Sequence, residues 1–413
     1  MLKTMTSKIQ LSVFFEKMIH PSLIKKALLK LPFDQLQKGS LTLSIADESI
    51  RFEGQHVGQH ADIRILSPFR AYWLLKTQGE LGFAQAYYEG AVETSSLYKL
   101  MHLAYENTAL FDSLLSNKTL NIWQLWQHRR RHNSVDNSRR NISFHYDLGN
   151  DFYQAWLDQT MTYSSALFLN KDDSLEDAQA NKYQRIIDEL EIKGGESILE
   201  VGCGWGGFME AAVSYDCNVK GLTLSTEQQK FAINRLSHQA SPDRFEVALQ
   251  DYRHENQAYD HIVSIEMFEA VGKEYWQSYF EMLQTNLKTT GTAVVQVITI
   301  DEAHADDYQS NVDFIQAYIF PGGLLPSVSQ FSDMAQKAGL EVETVFEFGQ
   351  DYAKTCQIWK NEFNKHKEKL EAMGYDKPFQ RLWNYYLDYC TVGFETGHSS
   401  VHQFTLKHAK RGE

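Results

Sequence analysis

A chain of 413 residues with 43% hydrophobic content can bury more than one core, and two domains are expected. A net charge of -13 argues against nucleic acid as a partner, because phosphate backbones need a basic face. Cys203, Cys217, Cys356 and Cys390 form no Cys-x-x-Cys pair, which excludes a zinc-type spacing and a disulfide framework and fits a reducing compartment.

Helical spacing appears first over 9–31, at Leu11, Phe14, Phe15, Met18 and Ile19 and then at Leu23, Ile24 and Leu28, with Pro21 dividing the run. The apolar residues of this run are too few and too polar in setting for a signal peptide or a membrane span. A soluble, cytoplasmic protein is therefore expected. Period-two alternation follows at 41–45, 50–52 and 63–65 between glycine-bearing turns, and helical patterning returns at 68–76 and 95–115. Residues 1–127 thus read as a small α+β domain. Residues 128–140, with His128-Arg129-Arg130-Arg131-His132 and Arg139-Arg140, read as a basic linker, either solvated or turned toward anionic phospholipid headgroups.

From 141 to 413 the pattern changes to strands at 197–201, 219–223, 245–249, 261–265 and 292–300 alternating with helices at 175–191, 207–215, 226–238 and 274–288. Strand-like runs at 341–348 and 402–407 accompany a long helical stretch over 352–397 and would form an antiparallel edge. The expected class is α/β: a Rossmann-like, doubly wound, mostly parallel seven-stranded sheet beside the smaller N-terminal domain.

The most specific segment lies at the first strand of that sheet, Glu200-Val201-Gly202-Cys203-Gly204-Trp205-Gly206-Gly207. Glycines there let the backbone turn sharply, and the helix that follows presents free N–H groups to a ligand. The same glycines satisfy a dinucleotide fingerprint, but a dinucleotide wants an acid about 20 residues later, at the end of the next strand. That strand ends Gly221-Leu222-Thr223-Leu224-Ser225, whereas Glu200 stands before the glycines. This suits the amino-acid part of S-adenosylmethionine better than a pyrophosphate, with the dinucleotide remaining open. Ligands in such sheets lie beyond the carboxyl ends of the strands, so Gln228 is placed to reach a ribose and Asp251 to accept from an adenine amino group.

Several motifs together resemble the cyclopropane-fatty-acyl-phospholipid synthase family and the mycolic acid methyltransferases that share its catalytic domain. They are His145 through Phe152, Met161-Thr162-Tyr163-Ser164, Leu199 through Gly207, Gly221 through Ser225 with Gln228, Met267-Phe268-Glu269, Tyr318 through Gly323, and Phe348 through Tyr352. They span roughly 141–400 in the family's order. The resemblance implies S-adenosylmethionine as cofactor, held by Tyr163, Ser164, Glu200, Gly202, Gly204, Trp205, Gly206, Thr223, Leu224, Gln228 and Asp251. It also implies methyl transfer to the double bond of unsaturated acyl chains in phospholipids, by a protein held peripherally at the inner face of the membrane. A cyclopropane is the leading product; a methyl-branched alkene, or a lipid-binding homologue with impaired catalysis, are the alternatives. A homodimer is one assembly the resemblance allows.

An alkene is a poor nucleophile, so such a reaction needs an oriented donor in a dry pocket and aromatic faces near the cation that forms. Tyr163, Phe168, Phe268, Tyr318 and Tyr352 are the candidates for that lining. In the family a bicarbonate ion is the implied base, held by a cysteine, a glutamate, a histidine, a tyrosine and a backbone group. These map onto Ser165, Glu269, Gln296, Tyr352 and the backbone of Ile298, with His145 also among the implied catalytic residues. Ser165 and Gln296 replace the cysteine and the histidine; both can donate hydrogen bonds, and neither can become a cation. Glu266 stands where the family has glycine, three residues before Glu269. A strand end turning into helix would place both carboxylates on one side, where one pKa rises and a bound bicarbonate is repelled. Glu266 is therefore a second candidate for the proton acceptor, or a determinant of the product.

Overall fold

The computed structural model describes residues 21–115 and 148–410. The basic linker, His145 and the helical run before Pro21 lie outside the described residues. The chain divides into two compact units, one holding the N-terminal region together with Glu371–Val392, the other holding Gln127–Leu370 and Gly393–Glu413.

In the first unit, strands β1 (Lys38–Ile45), β2 (Glu48–Glu53), β3 (His56–Ile65) and β4 (Val92–Glu93) form a sheet in the order β2-β1-β3-β4. The alternation read from the sequence carries Leu41, Leu43 and Ile45 of β1, with Ala61, Ile63 and Ile65 of β3, into the core. The helix expected over 68–76 runs from Pro68 to Tyr88, turning at Gly79, whose φ of 56° is left-handed. The helical pattern at 95–115 is two helices, Leu97–Glu106 and Thr108–Leu115. Asn107 divides them: its Oδ1 accepts from the backbone N–H groups of Gln37 and Lys38, and its Nδ2 donates to the carbonyls of Lys38 and Leu103. A buried amide with all those partners fixes the break. The helix Lys377–Glu395 supplies Arg381, which donates to the Tyr87 and Val92 carbonyls and lies 4.4 Å from the Tyr87 ring centroid. The small unit therefore includes residues that the sequence pattern placed with the catalytic domain.

The second unit is a seven-stranded sheet in the order β10-β11-β9-β8-β5-β6-β7, with β5 (Ser197–Val201), β6 (Asn218–Thr223), β7 (Phe245–Leu249), β8 (Tyr259–Ile265), β9 (Leu287–Ile300), β10 (Leu340–Glu347) and β11 (Ser399–His408). Strands β5 to β9 run parallel to one another, and β11 runs antiparallel to both β9 and β10. The fold class is the expected doubly wound one. β10 and β11 form the expected antiparallel edge, with β11 inserted between β9 and β10. The predicted long helix over 352–397 resolves into Gly349–Lys365, Lys367–Ala372 and Lys377–Glu395, with Gly374 at φ 98° before the last.

Alternate residues of β5 feed separate cores: Leu199 and Val201 join Phe268, Phe280, Phe331 and Phe404, whereas Ile198 joins Ile186, Phe208 and Met209. Helix Leu175–Leu190 starts at a capping box between Ser174 and Asp177, and Ser225 caps the helix Thr226–Ser237 through the Gln228 N–H. The Ser225 cap fixes where the loop at the carboxyl end of β6 leaves off, and so where Gln228 stands.

Candidate active site

Two groups of side chains flank the end of β5. On one side lie the glycine loop and the ends of β6 and β7; on the other, the ends of β8 and β9.

The glycine loop turns through positive φ at Gly202 (84°), Gly204 (52°) and Gly206 (80°). A Cβ at Gly202 would stand 2.7 Å from Cγ of Met267, so the residue is required both by its dihedral and by the close approach of the β8 loop. A Cβ at Gly204 would meet nothing within 4 Å, so that part of the loop faces open space. The helix Gly207–Ser214 begins with no side-chain cap. Glu200 is 3% exposed, and its Oε2 has no hydrogen-bond partner. Burial drives its carboxyl up to about 8 against the attraction of Lys182. An orphaned buried carboxylate oxygen beside uncapped amide groups fits the charged amino-acid end of S-adenosylmethionine, ammonium toward Glu200 and carboxylate toward the helix start.

The neighbouring strand ends agree with that fit in part. Thr223 Oγ1 donates to Gln228 Oε1 at 2.9 Å, which leaves the Gln228 amide as a donor for a ribose hydroxyl. Leu224 is half-buried beside it. Asp251, expected to receive an adenine amino group, is instead gripped by Arg253, whose Nε and Nη2 donate at 2.8 and 2.7 Å. Hydrogen bonds from Arg253 hold the Asp251 carboxyl below its ordinary range despite burial. The carboxylate still has lone pairs to offer, since two oxygens provide about four acceptor sites.

Replacing Gly202 with alanine is expected to destabilise the chain by about 1–2 kcal/mol, the cost of a left-handed residue with a β-carbon, and to weaken binding of S-adenosylhomocysteine. Denaturant unfolding and calorimetric titration measure the two effects separately.

The second group centres on two carboxylates. Strand β8 ends at Ile265, and Glu266 follows at φ 49°. Its Oε1 accepts from the Ser165 N–H at 2.8 Å and from Gln296 Nε2 at 2.7 Å, and its Oε2 accepts from the Tyr352 hydroxyl at 2.6 Å. Burial raises the Glu266 pKa; the Tyr352 hydroxyl, Lys182, Ser165 and Gln296 oppose that rise. Glu269, on the turn Phe268–Ala270, accepts from the Ile298 N–H at 2.5 Å through Oε1, while its Oε2 is buried without a partner. Burial, then the charge of Glu266, pushes Glu269 up to about 8.

The expected residues thus meet, with one change of role. The Ser165 hydroxyl donates to the Ala166 carbonyl at 3.0 Å, so it is the backbone of Ser165, not its side chain, that reaches the anion. Gln296 is oriented by Gln403, whose Nε2 donates to Gln296 Oε1 at 3.0 Å and so directs the Gln296 amide nitrogen at Glu266.

Lys182 was not among the expected residues. It is 0% exposed, and its Nζ donates to Ser164 Oγ at 2.6 Å and Gln179 Oε1 at 2.7 Å. Burial holds the ammonium well below its ordinary range, opposed by the charges of Glu266, Asp158 and Glu200. Gln179, Lys182 and Tyr183 share a helical face with Leu175, Ala178 and Ile186, and polar residues on such an apolar face were the available signal.

Aromatic side chains close the site. The Tyr163 ring lies 5.3 Å from Trp359, 5.4 Å from Tyr153 and 5.5 Å from Trp156. Trp205 lies 5.0 Å from Tyr153 and donates through Nε1 to Asn150 Oδ1 at 2.8 Å. Tyr352 stacks on Phe394 at 4.3 Å. Phe268 is a correction: it is fully buried among Trp276, Tyr279, Phe280 and Phe331, a core residue and not part of a lining. Phe168 is partly exposed under Lys354, whose Nζ is 3.7 Å from the ring centroid, and Tyr318 packs against Phe314 at 5.5 Å.

The family model of the mycolic acid cyclopropane synthetase matches residues 133–404. The cyclopropane-fatty-acyl-phospholipid synthase of Escherichia coli (strain K12) is 35% identical over 342 residues, which are 81% of this chain and 84% of that protein. The tuberculostearic acid methyltransferase UfaA1 of Mycobacterium tuberculosis is 37% identical over 281 residues, 66% of either chain. Among solved structures, the mycolic acid cyclopropane synthase CmaA1 complexed with SAH and CTAB is similar with a TM-score of 0.61 and 32% identity, covering 65% of this chain and 97% of that one. The cyclopropane synthase MmaA2 from Mycobacterium tuberculosis has the same TM-score at 31% identity. Sequence and fold agree over the region that carries both groups of residues, and the chain belongs to the mycolic acid cyclopropane synthetase family.

Proposed function

We propose that the chain methylates the double bond of unsaturated acyl chains in phospholipids, and that a cyclopropane is the leading product. It is an S-adenosylmethionine-dependent methyltransferase of its family. The phospholipid reading is supported by the relative named cyclopropane-fatty-acyl-phospholipid synthase, whose match extends beyond the catalytic region to 81% of this chain. The observation that carries the proposal is the adjacency of two halves of a site across the β5 and β8 ends: a loop with an orphaned carboxylate at Glu200, and a carboxylate pair at Glu266 and Glu269.

S-adenosylmethionine, when bound, supplies a methyl group activated by positive sulfur. Glu200 and the helix start at Gly207 would hold its amino-acid end, Gln228 and Asp251 its nucleoside, and Tyr163 with Ser164 the rim nearest the carboxylates. The aromatic group around Tyr163 excludes water and offers ring faces to a developing cation, each worth about 0.5–2 kcal/mol. Lys182 holds Ser164 through its hydroxyl. Fatty-acid mass spectrometry of cells with and without the protein tests the reading. A gain of one methylene with loss of unsaturation is expected; a gain with the double bond retained replaces the ring by a branched alkene, and no gain removes the acyl-chain assignment.

Peripheral contact with the inner face of the membrane fits the first unit. Among the described residues no helix is long and apolar enough to cross a membrane. Near the start of the helix Pro68–Tyr88, Leu66, Tyr72 and Trp73 are 45%, 38% and 53% exposed. Aromatic side chains with polar tips suit the headgroup boundary. Replacing Trp73 with alanine is expected to weaken sedimentation with anionic phospholipid vesicles by about threefold, a loss on the order of 0.7 kcal/mol, with unchanged S-adenosylhomocysteine affinity.

A further inference from the structure

Each residue that the resemblance assigns to a free bicarbonate as a hydrogen-bond donor places a backbone or side-chain group on a carboxylate of this chain. The backbone of Ser165, the amide of Gln296 and the hydroxyl of Tyr352 converge on Glu266, and the backbone of Ile298 is taken by Glu269. The three donors on Glu266 lie at 2.6 to 2.8 Å, the short range of charge-assisted hydrogen bonds. They embrace a planar group of two oxygens on one carbon, the shape that a bicarbonate would present to them.

The backbone tells the same story. Glu266 holds φ at 49°, where a residue with a β-carbon is strained and glycine is not. Its own N–H donates to the Gln296 carbonyl at 2.8 Å, which locks the turn and aims the side chain back at the β9 end. Gln403 fixes the Gln296 amide from behind, and Thr355 Oγ1 receives the Ala166 N–H at 3.2 Å, which steadies the segment that presents Ser165. The strain serves a side chain held on several sides.

We propose that Glu266 is a tethered replacement for the bicarbonate ion, that it is the base of the reaction, and that the enzyme needs no exchangeable anion. The inference rests on the acyl-chain reading given above. In the methylated cation, one C–H bond of the new methyl group breaks and its electron pair forms the second carbon–carbon bond, closing the ring. The proton passes to the Glu266 carboxylate, which becomes a carboxylic acid and later returns the proton to water. The acyl chain has then gained a methylene, and no further reactant is consumed.

The test compares the full wild-type chain with Glu266→Gly and Glu266→Gln. Glycine relieves the backbone strain and glutamine keeps the shape, so the pair covers a failure of either to fold. The first readout is binding of ¹³C-labelled bicarbonate followed by NMR line broadening, without substrate. Binding to Glu266→Gly and none to wild type is expected; binding to both, or to neither, overturns the proposal. The second readout is methylene transfer to unsaturated phospholipid vesicles in carbonate-free buffer and after addition of bicarbonate. Wild type is expected to hold its rate within about twofold, and Glu266→Gln to lose about 100-fold in ring formation, the usual span of a general base. Glu266→Gly is expected to recover activity with added bicarbonate. A wild type that stalls without bicarbonate, or a Glu266→Gln variant with full ring yield, overturns the proposal. A wild type that methylates no acyl chain while the binding contrast holds overturns the substrate reading instead.

Discussion

Replacing Glu269 with glutamine is expected to make the chain more stable than wild type above pH 8 and equal to it below about pH 4.5. Burial, and then the charge of Glu266, lifts the Glu269 carboxyl from 4.5 to about 8 in the folded protein. Between those values the native state keeps a proton that the unfolded chain has released. Native protein therefore binds more protons there, and stability falls as pH rises through the window. Each pH unit costs up to about 1.4 kcal/mol. Relaxation around the ionised group trims the total, so a difference on the order of 3 kcal/mol is expected at pH 8.5. Glutamine is neutral throughout, and its amide oxygen can accept the Ile298 N–H as Glu269 Oε1 does. The tyrosines that feel the Glu269 charge, Tyr279 and Tyr308, are themselves raised by burial and stay neutral across the range. Urea unfolding of both proteins at intervals from pH 4.5 to 8.5 measures the difference; parallel curves would show that Glu269 ionises as an ordinary carboxylate. The same variant is expected to extend activity to higher pH, because in wild type a second charge appears beside Glu266 as Glu269 ionises.

The parts of this site that follow from local chemistry were legible in the sequence. Glycines followed by helix, an acid before them and none after the second strand pointed to a glycine turn beside a buried acid, and the structure has that turn, since turn geometry and strand-end position are local properties. Glu266 and Glu269 could be paired from a three-residue spacing at a strand end. What the sequence hid depends on long-range packing. Whether Phe268 faced ligand or core was decided by helices and strands more distant in the chain, at Phe280, Phe331 and Phe404. Ser165 drew attention for its hydroxyl, yet the local backbone turns that group toward the Ala166 carbonyl. Placing Gln403 behind Gln296 required knowing that β11 inserts beside β9, and alternation does not encode strand order. The helix Lys377–Glu395 carries Arg381 to carbonyls nearly 300 residues earlier in the chain, a pairing with no local signature.

Lys182 had a signal that is easily discounted, because a lysine between apolar helix positions usually extends its stem and keeps its charge in water. Here it cannot, since its ammonium is capped by Ser164 and Gln179. Replacing Lys182 with methionine keeps the stem volume and removes the cation. Two effects then compete for stability: the desolvation penalty of a buried lysine is lifted, and the buried carboxylates lose an attraction. The first is the larger at Lys182 itself, since burial is the leading cause of its lowered pKa. A gross loss of folding is therefore not expected at neutral pH. The consequence for catalysis has one direction, because the charge of Lys182 draws down the pKa of both Glu266 and Glu200, and without it each holds its proton to higher pH. A base that must be ionised to act is then less available. The acid limb of the kcat/KM profile is expected to move to higher pH, with the rate on that limb falling by up to about tenfold for each pH unit of displacement. Affinity for S-adenosylhomocysteine is expected to fall as well, since Ser164 loses its anchor and the Glu200 carboxylate is less often charged. A uniform drop in rate at every pH, with the acid limb in place, would show that Lys182 supports only the packing of Ser164 and leaves the carboxylates unaffected.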